Sequence, residues 1–72
     1  MPARVIVDDG VSSPKREKVF DLVSSVLGRR EDADNLIAVV TKLPSGRMTV
    51  FINHVADPAF VATLEKAIAN LD

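Results

Sequence analysis

Residues Leu36 to Val55 read LIAVVTKLPSGRMTVFINHV. Leu36 to Leu43 form a near-continuous apolar run, the pattern of a central strand buried on both faces. Pro44-Ser45-Gly46 is turn chemistry. Met48 to Val55 is a second run of strand-forming residues. Two such runs around a short Gly-containing turn predict a β-hairpin. Working outward toward the N-terminus, Ala3 to Val7 (ARVIV) is a third strand, apolar and β-branched, closed by the turn signal Asp8-Asp9-Gly10. Between this strand and the hairpin lies KREKVFDLVSSVLGRR, introduced by Ser12-Ser13-Pro14. Ser13 is a good N-cap and Pro14 fits the first helical position. Val19, Val23 and Val26 then recur at helical spacing, widened by Phe20 and Leu27. Gly28 suits the helix end, and Arg29 and Arg30 suit its negative pole. This helix is long enough to be a right-handed crossover between parallel strands. Glu31 to Asn35 is a polar loop. Beyond the hairpin, Asp57-Pro58 repeats the cap-and-proline start, and Phe60, Leu64, Ala67, Ile68 and Leu71 share one helical face. The order is β-α-β-β-α, an α/β (α+β) chain with a crossover helix on a small mixed sheet.

The 72 residues make a single domain. A chain this short buries only about 60% of its unfolded surface, so its own core is marginal. The usual staples are absent: there is no Cys, and the lone His54 cannot build a zinc site. Yet 47% of the residues are hydrophobic. Oligomerisation is the remaining staple, and a symmetric assembly is expected. Nine Lys and Arg stand against ten Asp and Glu, interspersed as on a solvated surface. That balance, with Phe as the sole aromatic type, argues against a nucleic-acid partner. No apolar run approaches the roughly 20 residues of a membrane span, and no signal-peptide pattern opens the chain. The expectation is a cytoplasmic protein without membrane contact.

Few side chains suggest chemistry by themselves. Asp8-Asp9 reads as turn chemistry, and no metal is expected there. Lys15, Arg16 and Lys18 read as a solvated helix face. No Ser-His-Asp or phosphate-loop pattern is present. Met1-Pro2 stands out. Loss of Met1 would leave Pro2 as a secondary amine, a rare N-terminal base. The plain alternative is a proline tolerated at the start of an edge strand. With Met1 retained, the proline nitrogen is an amide without basicity.

Pro2, the strand Ala3 to Val7, Gly10-Val11-Ser12, a helix with Lys15 or Lys18 near its start and the strand Leu36 to Leu43 together resemble the tautomerase superfamily, of the 4-oxalocrotonate tautomerase type. VFINHV is also similar to the end of the α-subunit of trans-3-chloroacrylic acid dehalogenase. The likeness covers roughly residues 2–55, and the helix in 57–72 would be a C-terminal extension. It implies a trimer or hexamer, of identical or unlike subunits, acting without a cofactor on a small carboxylic acid. Pro2 would be the general base of a keto–enol or dienol isomerisation. The chain departs from the family where it matters. Val11 stands where the family places an arginine after the turn glycine, and Ile37 where a second one is expected. Asn53 falls at the dehalogenase's water-activating glutamate, so an isomerase is expected ahead of a lyase or dehalogenase.

An α-amino group titrates near about 7.7–8.0, and a base works best near the operating pH. An apolar surround and a nearby cation both lower that value. A cation must also stabilise the dienolate. Arg4, Arg47, Arg29 and Arg30 are the candidate cations, with Arg4 and Arg47 expected to bind substrate; the resemblance implies Phe51, or Met48 under a different gap, as the apolar wall, and Asn53 is a polar neighbour. Arg4 lies two residues after Pro2 and so shares its strand face; Arg47 follows the hairpin glycine and would reach the pocket of a neighbouring subunit. Both also fit as ordinary solvated arginines. A non-catalytic interaction module is the alternative on the same scaffold.

Overall fold

The computed structural model describes residues 3–71. The strand β1 (Arg4–Val7) leads into the helix α1 (Ser13–Gly28). A short 3₁₀ turn (Ala33–Asn35) precedes β2 (Ile37–Lys42), β3 (Met48–Ile52) and the helix α2 (Pro58–Ala69). The sheet order is β1-β2-β3. β1 runs parallel to β2 with Arg4 opposite Ile37 and Ile6 opposite Val39. β3 runs antiparallel to β2 with Phe51 opposite Val39 and Thr49 opposite Thr41. The fold is therefore a small α+β unit, a three-stranded mixed sheet with two helices.

Both helices pack on one face of the sheet. Val19, Val23 and Leu27 of α1 meet Ala38, Val40, Val50 and Ile52 of the sheet and Leu64 and Ile68 of α2 in a single core. Leu64 and Ile68 of α2 are thus part of that core, with Phe60, Val61 and Leu71 packed against it. Asp57 caps α2 by accepting a hydrogen bond from the Ala59 N–H at 3.0 Å. At α1 the N-cap is Ser12, one residue before the expected Ser13, and its side chain makes no capping bond.

Several expectations are corrected. Leu36 to Leu43 reads as buried on both faces, but within it only Leu36, Ala38 and Val40 are buried, while Ile37 and Thr41 are exposed. The helices cover one face, and nothing among the described residues covers the other. For the same reason Ile6, in a strand read as buried, is 55% exposed. On α1 the buried stripe is Val19, Val23 and Leu27, with Val26 half-buried and Phe20 exposed. A strand over Met48 to Val55 is cut short at Ile52, because His54 adopts a left-handed backbone with φ of 60° that no strand accommodates. No helix among the described residues is long and apolar enough to cross a membrane.

Candidate functional site

The candidate site begins where β1 begins. Pro2, the expected base, lies outside the described residues. Arg4 is the first residue of β1 and pairs in register with Ile37. Side chains alternate across a strand. Since Ala38, Val40, Val50 and Ile52 point to the helices, Arg4, Ile6, Ile37, Val39 and Phe51 share the open face. Phe51 is 68% exposed there, in the row next to that of Arg4. The fold thus brings Arg4 and Phe51 to one end of one face.

Asn53 closes that end. Its Oδ1 accepts the Ile37 N–H, its own N–H donates to the Ile37 carbonyl at 3.2 Å, and its Nδ2 donates to the Asn35 carbonyl at 3.1 Å. The amide ties the end of β3 to the start of β2 and to the 3₁₀ turn. It is a neutral group in the row of Arg4, with Ile37 between the two, and cannot serve as a base.

Arg47 sits elsewhere. It lies in the hairpin connection, where its carbonyl accepts the Leu43 N–H at 2.8 Å and its N–H donates to Ser45 Oγ at 3.3 Å. Six residues of β2 separate the row of Ile37 from that of Leu43, roughly 20 Å along the sheet. Within one chain Arg47 cannot join Arg4. It lines instead a cleft of about 450 Å³ with Lys15, Met48, Glu65 and Lys66. A neighbouring hollow of about 550 Å³ adds Arg16 and Lys42 beside Gly10, Ser12 and Ser13 at the start of α1.

The structure also assembles a cluster that no spacing in the sequence announces. Arg30 grips Asp32 with two bonds, Nε to Oδ1 at 2.9 Å and Nη2 to Oδ2 at 3.1 Å. Its Cζ lies 5.1 Å from the centroid of the Phe60 ring, within cation–π range. The bonds from Arg30 hold the Asp32 carboxyl below its ordinary range, and His54 adds a smaller electrostatic pull in the same direction. The cluster pins the loop after α1 to the first turn of α2. Only Glu31 separates Arg30 from Asp32, so it is the packing of Phe60 that reveals the pair as a bracket. Asp8, read as turn chemistry, accepts the Gly10 N–H at 2.8 Å and the Lys42 N–H at 3.0 Å. These two bonds, the Gly10 one foremost, hold its carboxyl below the usual value. Among the described residues no group of His, Asp and Glu could hold a metal ion.

The chain matches no protein-family model, no curated protein and no solved structure.

Proposed function

We propose that the chain is a tautomerase-type isomerase acting on a small keto–enol or dienol carboxylic acid. Pro2, freed by loss of Met1, is the base. Its nitrogen lone pair takes the enol proton. The oxygen electrons then form the carbonyl while the displaced π pair takes a proton back at carbon, so the substrate is isomerised with no net change in atoms or electrons. Arg4 holds the carboxylate and stabilises the charge that develops on oxygen. The observation that carries this reading is the register of β1 on β2: Arg4 stands directly opposite Ile37, the position where the resemblance implies an arginine. Adjacent strands lie about 4.8 Å apart. A long guanidinium rooted one strand over therefore serves the same space. Phe51, exposed on the same face, supplies an apolar wall that disfavours the protonated amine. The active form is a trimer or hexamer, of identical or unlike subunits, working without a cofactor in the cytoplasm.

A second reading is an interaction module or inactive partner subunit on the same scaffold. The exposure of Ile6 and Phe51 favours it, since large apolar side chains gathered on one face mark a docking surface. Intact mass before and after brief exposure to a halopyruvate near neutral pH separates the two. Loss of the Met1 mass and a single adduct, absent in Pro2→Ala, is the expected result. A retained Met1, or a processed chain that stays unlabelled, overturns the isomerase and leaves the interaction module.

A further inference from the structure

The charges of this chain are not spread evenly. Two contiguous hollows, of about 450 and 550 Å³, open where the hairpin, the start of α1 and one side of α2 meet, and they share Lys15, Gly46 and Met48 as a common wall. Around them stand Lys15 and Arg16 from α1, Lys42 from the end of β2, Arg47 from the hairpin and Lys66 from α2. These are five of the nine Lys and Arg in the chain, against two of its ten Asp and Glu, Asp9 and Glu65. A chain of net charge −1 thus gathers a local surplus of three positive charges, five less two.

The surplus is not neutralised from within. Among the described residues none of the five cations forms an ion pair. Glu65 is engaged elsewhere, because its Oε2 accepts the outward N–H of Val50 at 2.8 Å. Asp8, beside Lys42, accepts the Gly10 and Lys42 N–H groups at 2.8 and 3.0 Å. Arg16 reaches only the Val11 carbonyl at 3.5 Å and Ser13 Oγ at 3.4 Å, both long for a hydrogen bond. Lys15 and Arg16 are half-buried, which removes part of the water that would otherwise screen them. The first turn of α1 carries no acid, and cations there oppose the helix dipole. Four elements therefore bring like charges together at a cost to the folded chain. A cleft lined by one sign of charge concentrates its field on a counter-charge.

We propose that this double cleft binds a small molecule bearing linked phosphates. One phosphate sits between Arg47 and Lys66, the next between Arg16 and Lys42, and Lys15 stands between the two. A phosphate group carries about −1.5 to −2 charges and three acceptor oxygens, so it can meet several cations at once. A single carboxylate carries one charge and is matched by one guanidinium. Arg offers a planar fork and Lys a point charge, and both suit phosphate oxygens. Nucleic acid fits less well. None of the three phenylalanines lines either hollow, so no ring is present to stack a base. The cleft lies at the opposite end of the sheet from Arg4, and its assignment does not depend on the isomerase reading.

Titration of the full chain with sodium tripolyphosphate at low salt, followed in proton–nitrogen correlation spectra, tests the proposal. Saturable one-to-one shifts are expected at the backbone amides of Lys15, Arg16, Lys42, Arg47 and Lys66, with those of Arg4 and Asn53 unmoved. Added salt is expected to weaken the binding. The double variant Arg47→Gln, Lys66→Gln is expected to bind about tenfold more weakly. Both side chains are exposed, so their replacement spares the core, and the map of shifts on the unmodified chain stands apart from any variant. Arg29→Gln, an exposed cation outside the cleft, is expected to bind as the unmodified chain does. Citrate, a tricarboxylate, is expected to bind more weakly than tripolyphosphate. Absence of a saturable shift, shifts scattered over the whole surface, or an equal loss in Arg29→Gln overturns the proposal. Equal binding of citrate overturns the assignment to phosphate. Tighter binding of a single-stranded oligonucleotide overturns it in favour of a nucleic-acid surface.

Discussion

Val39 and Val40 are neighbours in the chain and live in different environments. Val40 is fully buried between β2 and the helices, while Val39 sits half-exposed between Ile6 and Phe51 on the open face. The two faces carry side chains of similar apolar character, so composition does not distinguish them. What distinguishes them is that a chain of this length has two helices, and both connections deliver them to the same side. The closed face holds the fold together. Among the described residues, nothing packs over the open face.

This contrast is sharpest in a pair of isoleucines. Ile68 is fully buried in the core. Ile68→Ala removes its packing and leaves a cavity, an expected loss of about 3 kcal/mol. That is a large part of the about 4–11 kcal/mol ordinary for a domain of this size. Ile6→Thr, on the open face, is expected to change monomer stability by under about 0.5 kcal/mol while weakening self-association. Urea denaturation at a concentration too low for assembly, read beside sedimentation, checks both. Equal losses for the two would abolish the distinction between the faces.

The two edges offer a smaller test. Glu65→Ala removes the acceptor of the outward Val50 N–H, at an expected loss of about 1.5 kcal/mol by chemical denaturation. It also opens a second strand edge, so aggregation is expected to rise in a light-scattering assay. A variant with unchanged stability would show that water replaces the carboxylate without loss.

The smallest effect lies at the acid end. The Asp8 carboxyl is depressed in the folded chain by the N–H groups of Gly10 and Lys42. An ordinary unfolded Asp titrates near about 3.9. With the folded value below the unfolded one, its contribution is present above the unfolded value and is lost as pH falls through the folded value. The denaturation midpoint is expected to drop less steeply with acid in Asp8→Asn than in the unmodified chain. Identical acid limbs would mean that the two backbone bonds do not distinguish the ionised carboxylate from an amide.

Local chemistry made most of the elements legible. The apolar run Leu36 to Leu43, the Pro44-Ser45-Gly46 turn and the valine spacing of α1 each point to one structure because period and turn preference are properties of short stretches. The hairpin forms as read, and the crossover is parallel. The end of β3 was hidden because a single left-handed residue, His54, stops a strand without any glycine or proline signal. The site was less legible. Arg4, Phe51 and Asn53 fall toward one end of one face because three strands align in register, whereas Arg47, expected to reach a neighbouring subunit's pocket, stands at the other end of the sheet. The Arg30–Asp32–Phe60 bracket joins residues far apart in the chain, and no local pattern encodes it.

By itself, then, the sequence determined the identity and order of the strands and helices, since hydrophobic period, caps and turns act over a few residues. Only the tertiary structure decided which face each strand shows to the helices, that Arg4 stands opposite Ile37, and that β1 ends the sheet. Those are matters of register and layer, set by contacts between distant residues, and a one-residue slip in pairing would have exchanged the two faces while leaving every local signal unchanged.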